Sequence, residues 1–136
     1  MKILDAVVPG NPVGKGRPRF VRATGRTYTP KGTAEWERGA SYVFHQQYNG
    51  APAEGVLSVT ITAVFQRPKR LLRKKDPDGR MPCDVKPDID NVIKCVLDAL
   101  VMGGVIRDDK TVWKVSSEKV YCSKEEGPSV RVIVET

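Results

Sequence analysis

Hydrophobic and polar positions along this chain fall into a few periodic runs separated by glycine and proline. In LSVTITAVF, at 57–65, Leu57, Val59, Ile61, Ala63 and Phe65 share one face, and Ser58, Thr60 and Thr62 lie opposite. That period of two predicts a half-buried strand. KILDAVV at 2–8 predicts a first strand, ended by PGNP, and VRVIVE at 130–135 predicts a last one. Residues 111–122 read as a strand of less regular alternation. Two runs have the longer period. In 33–48, Trp36, Ala40, Val43, Phe44 and Tyr48 recur at helical spacing, with Thr33 as the starting cap. A second helix starts near Asp88 to Asp90 and ends at Gly103–Gly104. At about 100° per residue, its Val92, Ile93, Val96, Leu97 and Leu100 fall on one arc. The order β, α, β, α, β, β predicts an α/β fold: a small single domain over 1–136, with a mixed sheet and two main helices packed on it.

Two stretches stay irregular. Residues 15–31 read as a loop rich in Gly, Pro and Arg, and residues 66–87 as a long proline-punctuated one. A loop of that length in a small domain is usually functional or mobile.

Charge changes the picture. The net charge is +7 over 136 residues, and a basic single domain most often meets a polyanion. Six basic residues and no acid lie in 15–31, and six more with no acid in 67–75. Lys15, Arg17, Arg19, Arg22, Arg67, Lys69, Arg70, Arg73, Lys74 and Lys75 are therefore the candidate phosphate contacts. Solvated basic loops are the plain alternative. The amino terminus has one lysine and a very short apolar run, and no stretch has the apolar length of a membrane span, so a cytoplasmic protein is expected.

Cys83, Cys95 and Cys122 are odd in number and far from CxxC spacing, which argues against a disulfide framework or a zinc site. The one histidine, His45, excludes HExxH chemistry and reads as structural or surface.

Against this basic background, KPDIDNVIKCVLDAL at 86–100 carries Asp88, Asp90 and Asp98, and Asp108–Asp109 follow a short GGVIR connection. Asp90, Lys94 and Asp98 form an i, i+4, i+8 ladder on the face opposite the apolar arc, and Asn91 lies with them. Aspartate at a helix start is ordinarily a cap, and Asp90–Lys94 an ordinary surface pair. Yet one cap suffices, and a carboxylate cluster opposes nucleic-acid binding unless it has a purpose. Mg²⁺, which takes carboxylate, water and phosphate oxygens, supplies one.

The pattern D-x-D-N-x-x-K-x-x-x-D-A-L, then a glycine-containing connection and D-D, resembles the signature of the RusA family of Holliday junction resolvases. PVGKGRPRF and YTP resemble the amino-terminal segment of many members. The resemblance implies that Asp88, Asp90 and Asp109 form the metal-binding and catalytic cluster with Mg²⁺, or Mn²⁺ in its place. It implies that Lys94 is the catalytic or phosphate-positioning lysine, with Asn91, Asp98 and Asp108 in support. It further implies a homodimer that nicks paired strands of four-way DNA junctions. A non-catalytic basic binding module, or a nuclease of other branched DNA or RNA, is the competing expectation.

Overall fold

In a computed structural model of the protein, residues 1–16, 19–28 and 30–136 are described, with the backbone alone at Arg19 and Tyr28. The main sheet joins β1 (Lys2–Pro9), β4 (Leu57–Phe65), β5 (Met81–Pro82), β6 (Val112–Tyr121) and β7 (Ser129–Glu135) in the order β1-β7-β4-β6-β5. Only β4 and β6 run parallel, so the sheet is mixed. Parallel neighbours need a crossover. Here it runs through 66–111 and carries α2 (Ile89–Met102). The other long helix, α1 (Lys31–Gln47), precedes β4 in sequence and packs against α2 and β1.

The alternation in 57–65 does what its period requires. Leu57, Val59, Ile61, Ala63 and Phe65 are buried with Leu4, Ala6 and Val8 of β1 and Val130, Val132 and Val134 of β7. Val92, Val96, Ala99 and Leu100 of α2 and Ala40 and Phe44 of α1 complete the same cluster. Each fully buried Val, Leu or Ile stabilises the fold by about 1.5–3 kcal/mol. Truncating Ile61 to Ala, at the centre of β4, would cost about 2–5 kcal/mol.

Two expectations for α1 are corrected. The helix begins at Lys31 behind Pro30, and Thr33 caps nothing. The Thr33 hydroxyl is buried; it donates to the Gly14 carbonyl at 3.0 Å and accepts from the Gly16 amide at 3.1 Å. The buried stripe is Thr33, Glu37, Ala40, Ser41 and Phe44, with Trp36, Val43 and Tyr48 half-buried at its border. This face is partly polar because it covers the loop at 12–16 as well as the sheet.

The basic segment expected as a loop contains a hairpin, β2 (Arg19–Val21) with β3 (Arg26–Tyr28). Gly25, at φ +69°, takes the left-handed conformation that its turn needs, and its amide donates to the Val21 carbonyl at 2.8 Å. The α2 C-terminus follows the glycine rule: the Gly103 amide bonds Ala99, and Gly104 is left-handed at φ +75°. A Cβ on Gly103 would stand 2.8 Å from the Ser41 carbonyl oxygen, so the glycine also lets α1 and α2 close together.

Candidate active site

Asp88 is the N-cap residue of α2, with extended backbone, but its side chain makes no cap hydrogen bond. Asp90 stands in the first turn, and both carboxylates are exposed. Among the described residues neither accepts a side-chain hydrogen bond or forms an ion pair. The start of α2 is therefore bonded by no aspartate side chain, which leaves both carboxylates available to another partner.

Lys94 stands one turn further on and does not pair with Asp90. Its Nζ donates to Asp98 Oδ1 at 3.0 Å and to Asp109 Oδ2 at 3.1 Å. The Asp90–Lys94 rung of the ladder is absent, because two carboxylates on one side hold the ammonium against one on the other. Asp98 and then Asp109 raise the Lys94 pKa, outweighing a smaller opposing effect of burial, so the side chain stays a cation. Asp109 is delivered by a single 3-10 turn, Asp109–Thr111, which Asp108 caps by accepting from the Lys110 amide at 2.9 Å. That bond, with the nearby Lys110 and Lys94 charges adding to it, holds the Asp108 carboxyl below its usual range. The two adjacent aspartates thus divide their work: Asp108 shapes the turn and Asp109 faces Lys94.

The network continues inward. Asp98 Oδ2 pairs with Lys15 Nζ at 3.1 Å, and Lys15 also bonds both Glu37 oxygens, at 3.0 and 3.2 Å. The Glu37 side chain is only 4% exposed. Burial works against the Lys15 charge, but Glu37 and Asp98 outweigh it and raise its pKa. Removing Lys15 would strand a nearly buried carboxylate, at a cost of about 3 kcal/mol or more. The backbone fixes the same place: the Lys15 amide donates to the Asn91 carbonyl at 2.9 Å. A Cβ on Gly14 would lie 2.5 Å from Pro87 Cβ, so the loop runs flush against the start of α2.

Two clefts share Lys15 as a wall. One, of about 490 Å³, is lined by Glu37, Lys94, Asp98, Arg107, Asp108 and Asp109. The other, of about 430 Å³, is lined by Gly14, Gly16, Lys86, Pro87, Asp88 and Asn91. Asp88 and Lys94 are six residues apart, about 9 Å along the helix axis, which separates Asp88 from the Lys94–Asp109 contact. Among the described residues, no group of three His, Cys, Asp or Glu side chains is poised to hold a metal ion. As a donor set, however, carboxylates of this kind suit Mg²⁺ or Mn²⁺, which need only one or two from protein beside water and phosphate oxygens.

The basic residues divide. Arg22 is exposed in the hairpin turn, and Lys69, Arg70, Arg73, Lys74 and Lys75 are exposed on the long loop. Arg17 lies outside the described residues, as does the side chain of Arg19. Arg67 is a correction. It is 2% exposed, and its guanidinium donates to the carbonyls of Cys122 (3.1 Å), Leu71 (3.0 Å), Pro77 (2.6 Å) and Gly79 (2.6 Å). A side chain wrapped in backbone carbonyls cannot reach a phosphate; Arg67 is the post around which the 66–80 loop is wound. Lys15 is likewise turned to carboxylates. Glu37 escaped sequence reasoning, although its place on the stripe with Thr33, Ala40 and Phe44 would have put a carboxylate on the inner face. His45 is exposed, with Nδ1 at 3.3 Å from the Gly103 carbonyl. No helix among the described residues is long and apolar enough to cross a membrane.

The model of the RusA endodeoxyribonuclease family matches residues 9–135. A crossover junction endodeoxyribonuclease RusA of Aquifex aeolicus (strain VF5) is 26% identical over 133 residues, 97% of this chain and 92% of that protein. A protein of Bacillus subtilis (strain 168), uncharacterized protein YqaN, is 27% identical over 141 residues, 98% of this chain and 96% of its own. With nearly its whole length matched, and with an acidic, lysine-bearing helix at its centre, the chain belongs to the RusA family of endodeoxyribonucleases.

Proposed function

We propose that the protein is a Mg²⁺-dependent, structure-selective endonuclease that resolves four-way DNA junctions by paired symmetric nicks. The observation that carries this reading is Lys94 held between Asp98 and Asp109 on an exposed helix face of a basic chain. Hydrolysis of a phosphodiester builds negative charge on the phosphate oxygens, and a fixed ammonium at that point stabilises it without reorganisation. Asp88, Asp90 and Asp109 are the residues that the family resemblance assigns to the cation, and holding it jointly would require Asp88 and Asp109 to come closer than they stand here. When bound, it supplies polarisation of the phosphate and a more acidic water. Lys69, Arg70, Arg73, Lys74 and Lys75, together with Arg22, would hold the arms through phosphates, which positions DNA without reading sequence.

Paired nicks need two equivalent sites. A two-fold homodimer supplies them with the symmetry of the junction's own strands. The relative of Aquifex aeolicus, named as a crossover junction endodeoxyribonuclease, supports the substrate class.

The test is cleavage of a synthetic four-way junction with Mg²⁺ and with EDTA, by wild type and Asp90→Asn, with linear duplex alongside. Paired nicks on the junction alone, requiring both metal and Asp90, are expected. Binding without cleavage under every condition would make the protein a basic binding module.

A further inference from the structure

Lys15 opens one of the acid-free basic blocks, where it reads as a phosphate contact, yet its ammonium is turned inward. It is half-buried, and its three short contacts all go to carboxylate oxygens: Glu37 Oε1, Glu37 Oε2 and Asp98 Oδ2. Asp98 in turn uses one oxygen on each lysine, Oδ2 on Lys15 and Oδ1 on Lys94. Lys15, anchored on the nearly buried Glu37, holds one Asp98 oxygen and leaves the other turned toward Lys94. Lys94, on a flexible four-carbon stem, then meets an oriented acceptor. Charges alternate from the interior outward: Glu37, Lys15, Asp98, Lys94, Asp109.

We propose that Lys15 and Glu37 are positioning residues for the lysine of the active site. Glu37, rooted on α1, fixes Lys15; Lys15 fixes Asp98; Asp98 fixes Lys94 beside Asp109. The geometry explains why a nearly buried acid sits on the inner stripe of α1, and why Gly14 must let the loop lie against α2. It gives α1, which holds none of the proposed catalytic residues, a direct line to the reacting end of Lys94. The inference rests on the resolvase reading.

Two measurements on the full-length protein separate positioning from phosphate contact. One is the single-turnover cleavage rate of a four-way junction at saturating enzyme. The other is junction affinity against KCl concentration in EDTA. Both are made on wild type, Lys15→Met, Glu37→Gln and Lys15→Arg, and on the double variant Lys15→Met/Glu37→Met. Misplacement of a reacting group by about 1 Å can cost on the order of 100-fold in rate, so Lys15→Met and Glu37→Gln should each slow the bound complex by ~10- to 100-fold. Affinity and its salt slope should match wild type. Lys15→Arg should recover part of the rate. The double variant removes both buried charges, so it avoids stranding either one. Because both residues act on one path, it should be no slower than the slower single variant.

Lys15→Met that binds more weakly, with a salt slope reduced by about one and an unchanged bound rate, would make Lys15 a phosphate contact. A double variant that cleaves at the wild-type rate would overturn positioning, even if the single variants fail to fold. A wild type that cuts no junction overturns the resolvase reading and this inference together. A wild type that cuts, beside a Lys15→Met that cuts equally, overturns the inference alone.

Discussion

The Lys94 ammonium touches Asp98 on its own helix and Asp109 on the turn before β6, at 3.0 and 3.1 Å. One side chain therefore joins the crossover helix to the strand that the crossover leads to. Asp109→Asn should lower junction cleavage by at least ~100-fold, because it removes a proposed cation ligand and one of the two anchors of Lys94. Junction binding should hold or improve, since a negative charge beside the DNA is gone. Parallel gel-shift and single-turnover assays would check both; a variant still cutting at the wild-type rate would remove Asp109 from the mechanism.

Arg67 has no carboxylate partner in its four hydrogen bonds, only carbonyls. Arg67→Ala orphans those carbonyls and empties a buried site. It should lower unfolding stability by about 3 kcal/mol or more in urea titration. Lys in its place should recover little, since one ammonium cannot span four acceptors arranged for a planar fork.

Exposed cations of the long loop should behave differently from Arg67. Contacts with about six phosphates would give a log–log salt slope near −5. Replacing Arg70, Lys74 or Lys75 by Gln, one at a time, should reduce that slope by about one each and leave thermal stability within experimental error. An unchanged slope would place that residue off the DNA.

Glu126 is one local source of acid sensitivity. Hydrogen bonds from the Arg80 guanidinium, then from the Ser123 amide, pull the Glu126 carboxyl down to about 2. A group depressed on folding stabilises above its unfolded value, about 4.3, and that contribution is lost as pH falls through the folded one. Glu126→Gln should therefore lower Tm at pH 7, and the gap from wild type should close between about pH 4.5 and pH 2. The gap should be small, on the order of 1 kcal/mol or less, because the pair is partly exposed.

The three thiols should label unequally. Burial first, and then the nearby Glu37 charge, pushes Cys95 up to about 12, and Cys122 is buried as well. Cys83 is half-buried. Iodoacetamide at pH 8 should modify Cys83 in the native protein and reach Cys95 and Cys122 only after unfolding, as read by peptide mass spectrometry.

Much of the architecture was legible because the sheet and α2 carry clean periods. Alternation marks β4 at the residues the strand occupies, and Val92, Val96 and Leu100 of the α2 arc are buried, with Ile93 and Leu97 half-buried and Cys95 and Ala99 buried in their stead. The family resemblance drawn from the α2 motif and the following Asp pair is likewise borne out. What stayed hidden depends on which way a side chain turns. Nothing in RPKRLLRKK distinguishes Arg67 from its neighbours until the loop brings three carbonyls back over it. Asp108 and Asp109 are chemically identical, and only the 3-10 turn assigns one to the backbone and the other to Lys94. Glu37 is hard to pick out because Trp36 and Val43, the residues that draw the helical phase, border the buried stripe. The β2–β3 hairpin was obscured by its arginines, although Gly25 marks its turn.

The parallel pairing of β4 with β6 has a consequence for folding. These strands meet only after residues 66–111 have been laid across the sheet, and long-range pairing of this kind is slow. Asp109 meets Lys94 inside that crossover, 15 residues on along the chain, and the turn that carries it runs directly into β6. Pairing of β6 with β4 therefore anchors the turn at one end. On the proposed reading, nuclease activity should return with the slowest phase of refolding from urea; activity that returned before the sheet signal would separate the site from the sheet's closure.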